Sequence, residues 1–181
     1  MMRFLVLSDT HCPRSPLPGD LSPLMSGMEG IIHCGDFSDY DSFLSLEAYG
    51  LPVYGVTGNN DPWELRRILP ERRILLLGEL KVAVTHGASC GGSAHACARR
   101  EFSGQEADLI LFGHSHLPEA HPRPDPPAYN PGSFSQGRGR GNTIGILEIE
   151  GRNHLFRHFL VNSRSGDIIG EIFPGRKEEE R

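Results

Sequence analysis

The chain reads Met2-Arg3-Phe4-Leu5-Val6-Leu7 near its start, and Asp9-Thr10-His11 follows after a single serine. The first six residues are mostly apolar, and the run has the length of a buried strand. A carboxylate and an imidazole then stand directly beyond the carboxyl end of that strand. Because both are metal-ligating groups, this stretch predicts a strand that delivers ligands to a site at its end.

Four more apolar runs end in polar strings of the same kind. They are Ile31-Ile32-His33-Cys34 before Gly35-Asp36, Leu51-Pro52-Val53-Tyr54-Gly55-Val56 before Gly58-Asn59-Asn60-Asp61, Val82-Ala83-Val84-Thr85 before His86-Gly87, and Leu109-Ile110-Leu111-Phe112 before Gly113-His114-Ser115-His116. Each string alone is an ordinary turn sequence. In α/β sheets, however, ligands gather outside the carboxyl ends of the strands. The ordered set of five therefore predicts one shared site.

The five strings supply seven candidate metal ligands: Asp9, His11, Asp36, Asn59, His86, His114 and His116. If Asp36 bridges, each of two metal ions receives four protein ligands, and positions remain for water and substrate. Two such ions can clamp the attacking and leaving oxygens of a phosphoryl transfer. Imidazole and oxygen ligands without thiolate favour Mn, with Fe, Zn, Ni or Co as alternatives, over Ca.

The five strings resemble the signature of the calcineurin-like metallophosphoesterases, D-x-H, G-D, G-N-H-[DE], a histidine-bearing fourth motif and G-H-x-H. The resemblance extends from Leu5 to about Phe134 and includes Asn130-Pro131-Gly132-Ser133. It is strongest to the small, single-domain, YfcE-like phosphodiesterases. The resemblance implies an α/β (α+β) fold, a four-layer α-β-β-α sandwich of two packed mixed sheets flanked by helices, with the metal site at the strand C-terminal ends.

The resemblance also implies roles for the residues. One metal ion would be held by Asp9, His11 and His116, the other by Asn59, His86 and His114, with Asp36 as the bridge and a metal-bridging hydroxide as the nucleophile. Asn60 and Asp61 are the expected catalytic residues of the third motif. Asn60, Ser133 and Arg138 are the expected substrate contacts, Arg138 because a guanidinium can hold a phosphate through two hydrogen bonds.

Two positions depart from the family pattern. Asn60 stands where many members carry a histidine, and an amide cannot act as a general acid because it does not titrate in the working range. Ala88 follows His86-Gly87, where many relatives read His-Gly-His. The small YfcE-like members also lack the first histidine, so Asn60 favours that branch and a phosphodiester substrate. The second departure affects substrate contacts and leaves the seven ligands in place.

Composition is that of an ordinary enzyme domain. The 181 residues are 38% hydrophobic and 23% charged, with a net charge of −5 and no basic block, so the sequence gives no strong nucleic-acid signal. A small phosphodiester or nucleotide-like substrate is expected, and a homo-oligomer is possible. No run approaches the roughly 18 apolar residues of a membrane helix. We expect a cytoplasmic protein without membrane contact, and the four unevenly spaced cysteines match no disulfide framework.

The remaining pattern predicts a single domain over residues 1–174 and a charged, disordered tail over 175–181. Helices are expected over 39–49, over 93–102, and from Asp61 as the cap with Pro62 at the first position. Residues 143–150 and 153–161 alternate and predict a hairpin around Gly151, with a last strand over 167–173. Residues 13–30, 88–96 and 118–140 are expected to be the loops that determine specificity.

Two other functions remain open from the residues alone. Gly87-Ala88-Ser89-Cys90-Gly91 matches the nucleophile elbow of a serine hydrolase, with Asp108 and then His114 or His121 in the required order. Some proteins of this fold are protein-binding scaffolds with a vestigial metal site, such as a subunit of the retromer coat, but all seven ligand positions are filled here. Cys90, His95 and Cys97 could form a metal clasp, although packing or surface positions fit their spacing better.

Overall fold

The computed structural model describes residues 1–11, 20–123, 126–139 and 141–174. Its strands are β1 (Met2–Leu7), β2 (Gly30–His33), β3 (Val53–Gly55), β4 (Arg72–Leu77), β5 (Leu80–Thr85), β6 (Leu109–Leu111), β7 (Pro118–His121), β8 (Ala128–Pro131), β9 (Asn142–Glu150), β10 (Asn153–Val161) and β11 (Ile168–Ile172). Its helices are α1 (Ser22–Met25), α2 (Tyr40–Glu47), α3 (Trp63–Arg66) and α4 (Ala94–Glu101). The predicted tail over 175–181 lies outside the described residues.

The first sheet has six strands in the order β11-β10-β9-β1-β2-β3. Strands β1, β2 and β3 run parallel, with Leu5 opposite Ile31 and Ile31 opposite Val53. The long hairpin β9–β10 joins antiparallel to the other side of β1. Because β1, β2 and β3 point the same way, the segments that follow them emerge at one edge of the sheet.

The second sheet has five strands in the order β4-β5-β6-β8-β7. Strands β5, β6 and β8 are parallel neighbours, while β4 and β7 are antiparallel strands at the two edges. The segments after β5 and β6 therefore also leave the sheet at a common edge. Both sheets are mixed, as the sequence resemblance implied.

Alternation of side chains along the strands builds the layers, because successive residues of a strand point to opposite faces. Phe4 and Val6 of β1 face the second sheet and pack with Val82 and Val84 of β5. Buried apolar side chains from both sheets fill this central layer. Its closed packing places the two sheets face to face and holds their ligand-bearing edges together.

Helices cover the two outer faces. Leu5 and Leu7 of β1 point outward and pack with Phe43 and Leu46 of α2. On the other side, the small residues of α4 pack on Ala83 of β5 and its neighbours. The result is the four-layer α-β-β-α sandwich, so the predicted fold class is confirmed.

The sequence located most elements correctly. The five ligand-bearing strands, the hairpin around Gly151, the last strand and the helices α2 and α4 all form where they were expected. Two assignments were wrong. Residues 118–140 are not only loop, since they contain β7 and β8. In addition, Pro62 occupies the N-cap position of α3, and the Asp61 carboxylate does not cap this helix.

None of the helices in the described part of the chain has the length and apolar character needed to cross a bilayer.

Candidate metal centre

The structure brings the expected ligands together at the carboxyl ends of five strands. Asp9 and His11 follow β1, Asp36 follows β2, Asn59 follows β3, His86 follows β5, and His114 and His116 follow β6. The first three strands belong to one sheet and the last two to the other. The ligands therefore converge from both sheets across the top of the central layer.

The backbone at these positions is strained. Seven described residues other than glycine have positive φ, and five of them are predicted ligands: Asp9, His11, Asp36, His114 and His116. A side chain in this left-handed region costs free energy, and such residues persist where the surrounding structure requires them. The strain at these five positions indicates that the loops are held in shapes that aim the ligands inward.

Glycine allows two of these loops to approach the carboxylates closely. A Cβ atom at Gly58 would lie 2.1 Å from Oδ1 of Asp36, and one at Gly113 would lie 2.0 Å from Oγ of Ser8 and 3.0 Å from Oδ2 of Asp9. Any side chain at either position would displace a neighbouring polar group. This close packing explains why glycine precedes the ligand in both strings.

The first ligand group consists of Asp9, His11 and His116. Nε2 of His116 lies 3.2 Å from Oδ1 of Asp9, and Nε2 of His11 lies 3.7 Å from the same oxygen. The two imidazole nitrogens are 3.1 Å apart. Three ligand atoms thus surround one point, as a metal ion requires.

The second group is formed by Asp36, His86 and Asn59, with His114 beside them. Nε2 of His86 lies 3.3 Å from Oδ2 of Asp36 and 3.2 Å from Oδ1 of Asn59. The rings of His86 and His114 have centroids 5.2 Å apart. A carboxylate oxygen of Asp9 also lies within 4.8 Å of ligand atoms of Asp36 and His86. The two groups are therefore contiguous.

Three of the imidazoles are oriented by contacts of Nδ1, the ring nitrogen that points away from the site. Nδ1 of His86 donates to the carbonyl of Cys34 at 2.8 Å, and Nδ1 of His116 donates to the carbonyl of Gln136 at 3.2 Å. Nδ1 of His11 lies 2.9 Å from Oγ of Ser38. In His86 and His116 this leaves the Nε2 lone pair facing the site, which is the usual arrangement of metal-bound histidines.

The carboxylates are held in the ionised form. Burial alone would raise the pKa of Asp9, but hydrogen bonds from His11, His116 and Ser8 and the charge of His86 outweigh it and lower the pKa far below the usual range. Burial opposes ionisation of Asp36 in the same way, yet His86 and Asn60 lower its pKa to about 2. Both side chains are therefore anionic ligands throughout the neutral range.

The negative charges of Asp9 and Asp36 also affect the pKa values of the neighbouring histidines. Burial lowers the pKa of His86, but the nearby carboxylates of Asp36 and Asp9 raise it above its ordinary value overall. The hydrogen bond to Asp9 raises the pKa of His116. For His114, burial and the neighbouring His86 lower the pKa. Two buried carboxylates thus attract positive charge to the centre.

The donor set fits divalent metal ions. Oδ1 of Asp9 is buried, belongs to a carboxyl group whose lowered pKa keeps it charged, and faces the ring nitrogens of His116 at 3.2 Å and His11 at 3.7 Å. A buried carboxylate charge is costly unless positive charge compensates it. Facing imidazole nitrogens and an amide oxygen complete a set typical of Mn, Fe, Zn, Ni or Co. The ligand atoms of Asp9, His11 and His116, and those of Asp9, Asp36 and His86, lie close enough together to hold such ions.

Asp61 supports the centre from behind. Its Oδ2 accepts from the backbone N–H groups of Gly58 at 2.7 Å and Asp36 at 3.0 Å, and its Oδ1 accepts from the N–H of Ser38 at 2.9 Å. These bonds tie the third motif to the second, and they explain why the carboxylate is not a helix cap. Only 5% of Asp61 is exposed, and burial raises its pKa.

The other residues expected at the substrate occupy different surroundings. Asn60 is exposed beside the centre and donates to Asp36 from both its backbone and its side-chain amide. Ser133 is fully buried, and its hydroxyl donates to the carbonyl of Asp9 at 2.7 Å, which differs from the expected substrate contact. Arg138 is exposed, and its charge acts on His116 at the edge of the site.

Two buried histidines support the loops and were missed as functional residues. His33 stacks on Phe37 at a centroid distance of 3.6 Å, and its Nδ1 accepts from the N–H of Gly35 at 3.2 Å. His158 donates from Nε2 to the carbonyl of Asn130, whose side-chain amide donates to the carbonyl of Gly113. The position of His33 inside an apolar run could have indicated its buried supporting role. The sequence around His158 gave no comparable indication.

The serine-hydrolase arrangement does not form. The hydroxyl of Ser89 donates to Glu101, and no imidazole is among its hydrogen-bond partners in the described ranges. The proposed acid Asp108 instead accepts from the N–H of Lys81 and from Arg152. Ser89 therefore lacks the base that a nucleophilic serine needs.

The expectation that the cysteines form no disulfide was wrong. Cys90 and Cys97 are joined as a disulfide with a Cα–Cα separation of 5.6 Å, so they cannot form a metal clasp with His95. His95 instead stacks on His121 at a centroid distance of 3.7 Å. The pairing was not readable from spacing because it depends on how α4 folds back beside the loop. Cys34 is buried in the central layer.

Comparison with known proteins identifies the family. The model of the calcineurin-like phosphoesterase superfamily domain matches residues 2–152, so the chain belongs to this family. A probable metallophosphoesterase of Methanothermobacter thermautotrophicus is 30% identical over 150 residues, which cover 81% of this chain and 85% of the relative. The protein is thus a metallophosphoesterase by descent, with candidate metal ligands in place.

Solved structures agree on the fold. Vps29 of Chaetomium thermophilum superimposes with a TM-score of 0.74 at 18% identity, covering 89% of this chain and 88% of that protein. An archaeal phosphodiesterase superimposes with a TM-score of 0.63 at 24% identity, covering 86% of this chain and 98% of that protein. At these identities the likeness establishes the α/β fold alone.

Proposed function

We propose that the protein is a phosphodiesterase that uses two divalent metal ions. One ion would be bound by Asp9, His11 and His116, the other by Asn59, His86 and His114, and Asp36 would bridge them. The observation that carries this proposal is the position of Oδ2 of Asp36, 3.6 Å from Nε2 of His11 and 3.3 Å from Nε2 of His86. One carboxylate oxygen therefore faces a histidine of each group.

The bound metals would supply two things, a water of lowered pKa and positive charge on the phosphoryl oxygens. The protein supplies position. The carboxylate of Asp61 accepts a hydrogen bond from the backbone N–H of Asp36 and so fixes the loop that carries Asp36. The hydrogen bonds at Nδ1 fix the orientation of the imidazoles. The hydroxyl of Ser133 donates to the carbonyl of Asp9, and we propose that it positions this loop and makes no substrate contact. Arg138 at the rim is available to an outer phosphate oxygen.

Asn60 favours a diester over a monoester as the substrate. General acid catalysis is typically worth about 10²–10⁴ in rate, and an amide cannot supply it. A diester with a good leaving group depends less on protonation of the departing oxygen. His121 does not replace the missing acid, because its Nε2 is bound to Glu119 at 2.8 Å and its ring stacks on α4.

A scaffold that only binds other proteins is the second candidate. The protein shares its fold with Vps29, so a scaffold is worth testing as an alternative. The likeness concerns the fold alone and says nothing about a binding partner. The enzyme is favoured because all seven expected ligand positions are filled, and because the buried carboxylates of Asp9 and Asp36 and the strained ligand loops are costly features that a metal-free scaffold does not need. We retain Mn as the preferred metal and the cytoplasm as the location, both as proposals.

Hydrolysis of bis(p-nitrophenyl) phosphate tests the proposal. The chain is first stripped with chelator, and Mn, Ni, Co, Zn or Fe(II) is then added back at known stoichiometry. We expect no turnover without metal and maximal turnover at about two ions per chain. A serine-reactive organophosphonate should leave the activity unchanged. Turnover that survives complete metal removal would contradict the metal mechanism, and a lack of turnover on any diester with any metal would favour the scaffold.

A further inference from the structure

A small cavity opens beside the second ligand group. We name it the side pocket and define it by Asn59, His86, Arg66, Glu71, Ser89 and Glu101. Its volume is about 140 Å³. Because two of its lining residues are predicted metal ligands, the pocket borders the place where a phosphoester would bind.

The volume limits what can enter. Pockets that hold drug-sized ligands measure roughly 300–1,000 Å³, so the side pocket suits a substituent of only a few heavy atoms. A complete nucleoside would have to extend beyond it. The pocket therefore has room for a short chain on the phosphorus, and a longer group would extend through its open side into solvent.

The charge of the lining selects further. Arg66 provides one positive charge, and Glu71 and Glu101 provide two negative charges, which leaves one net negative charge. The Arg66 guanidinium is already engaged, with Nε donating to the carbonyl of Asp61 at 2.9 Å and Nη2 donating to the carbonyl of Gly58 at 2.8 Å. The arginine thus holds the Asn59 loop, and the glutamates dominate the electrostatics of the pocket.

Glu101 is fixed in the pocket before any ligand arrives. One of its carboxylate oxygens accepts from the hydroxyl of Thr85 and the other from the hydroxyl of Ser89. Thr85 is buried next to the predicted ligand His86, which ties the carboxylate to the metal centre. An ionised carboxylate accepts about four hydrogen bonds, so Glu101 retains lone pairs for a donor that enters the pocket.

We propose that the side pocket binds a short ammonium-bearing ester group of the substrate, which makes the substrate class a phosphodiester of an ethanolamine-type amino alcohol. This inference rests on the proposed phosphodiesterase function. The ammonium would donate to Glu101 and to the Ser89 oxygen, close to the predicted ligand His86. A second phosphate in the same position would be repelled by Glu71 and Glu101, so phosphorylated nucleotides are poor occupants.

Two isosteric substrates test the proposal with the metal-loaded protein. They are p-nitrophenyl 2-aminoethyl phosphate and p-nitrophenyl propyl phosphate, which share a leaving group and differ in one terminal atom and its charge. We expect kcat/KM to be higher for the aminoethyl ester by about fivefold, the upper range for a partly exposed ion pair. The preference should diminish at high salt because the pocket is open to solvent.

Variants and a binding measurement locate the effect. Glu101→Gln keeps the shape and acceptor oxygen but removes the charge, and the ratio should fall toward one. Glu106→Gln is the matched control, because Glu106 is exposed and pairs with Lys81 away from the pocket. Calorimetry with the 2-aminoethyl and propyl monoesters of methylphosphonic acid should give the same ratio in Kd, independently of turnover.

The outcomes separate the two proposals. Equal kcat/KM and equal Kd for the two esters in the wild type would overturn the amino-alcohol inference and leave the phosphodiesterase intact. A preference that survives in Glu101→Gln would also overturn it, because the charge would then lie elsewhere. Absence of metal-dependent hydrolysis for both esters would instead contradict the proposed function.

Discussion

Asn60 holds the carboxylate of Asp36 by two hydrogen bonds, from its backbone N–H to Oδ1 at 2.8 Å and from its side-chain amide to Oδ2 at 2.7 Å. The oxygen that faces both histidine groups is thus oriented by the residue that replaces the family's histidine. The substitution removes an acid and retains a donor. The third motif can therefore still fix the proposed bridge.

Asp36→Ala tests that bridge. Loss of the carboxylate removes the group shared by both proposed ions, so bound metal should fall from about two per chain to one or fewer, and diester hydrolysis should be abolished. Elemental analysis after gel filtration measures the metal content. Asp41→Ala, an exposed position on α2, is the control and should retain both properties. Full metal content in Asp36→Ala would contradict the assignment.

Asp61→Asn tests the support behind the centre. An amide nitrogen would face backbone N–H groups that now donate to the carboxylate, and a buried donor left without an acceptor costs about 1–3 kcal/mol. The free energy of unfolding of the metal-free protein should fall by that amount in urea titrations. Metal affinity should fall by roughly 10–100-fold, since the Asp36 loop is no longer fixed. Unchanged affinity would assign Asp61 a purely structural role.

Asn60→His should shift the substrate class. An imidazole retains a ring N–H for Asp36 and adds a group that can protonate a leaving oxygen, so monoester turnover should rise relative to diester turnover by about 10²-fold or more. The comparison is kcat/KM for p-nitrophenyl phosphate and bis(p-nitrophenyl) phosphate at saturating metal. Asn60→Gln keeps an amide and should leave the ratio near that of the wild type. A wild type that already prefers the monoester would refute this role of Asn60.

The ligands were predictable from sequence because each stands directly after an apolar run. The register of β1 places Asp9 beyond the strand whatever the rest of the chain does, and the glycines before Asp36 and His114 indicate tight turns. The layers followed from the alternation of side chains along each strand, since Leu5 and Val6 point to opposite faces of the sheet. Local pattern was sufficient here because the site lies at the carboxyl ends of the strands, so a residue that follows a strand is placed at the site.

Contacts between distant segments were not predictable in the same way. The carboxylate of Asp61 looked like a helix cap, but Asp36, 25 residues away, supplies a backbone N–H that binds it better. The buried hydroxyl of Ser133 likewise depends on where the chain returns to the site, because its partner is the carbonyl of Asp9. Tertiary partners override local preference at these positions.

His158→Gln tests a buried histidine that the sequence did not reveal. Burial lowers the pKa of His158 to about 4, with partial opposition from hydrogen bonds to the carbonyls of Asn130 and Glu119. In the unfolded chain the ring titrates near 6.5, so between these values only the unfolded state binds the proton. The stability that His158 contributes is therefore present above about pH 6.5 and is lost as the pH falls toward 4. At pH 5 the loss is about 2 kcal/mol relative to pH 7.5, at 1.36 kcal/mol per pKa unit.

Urea unfolding of the metal-free protein at both pH values measures this loss. Gln can still donate to the Asn130 carbonyl but does not titrate, so Asn130 keeps its partner and the pH-dependent part disappears. His33, whose pKa burial lowers to about 3, remains in both proteins and cancels in the comparison. The wild type should thus lose about 2 kcal/mol more than His158→Gln on acidification. Equal losses in the two proteins would mean that His158 takes up its proton in the folded state, and the network from β10 to the Gly113 loop would then carry a charge.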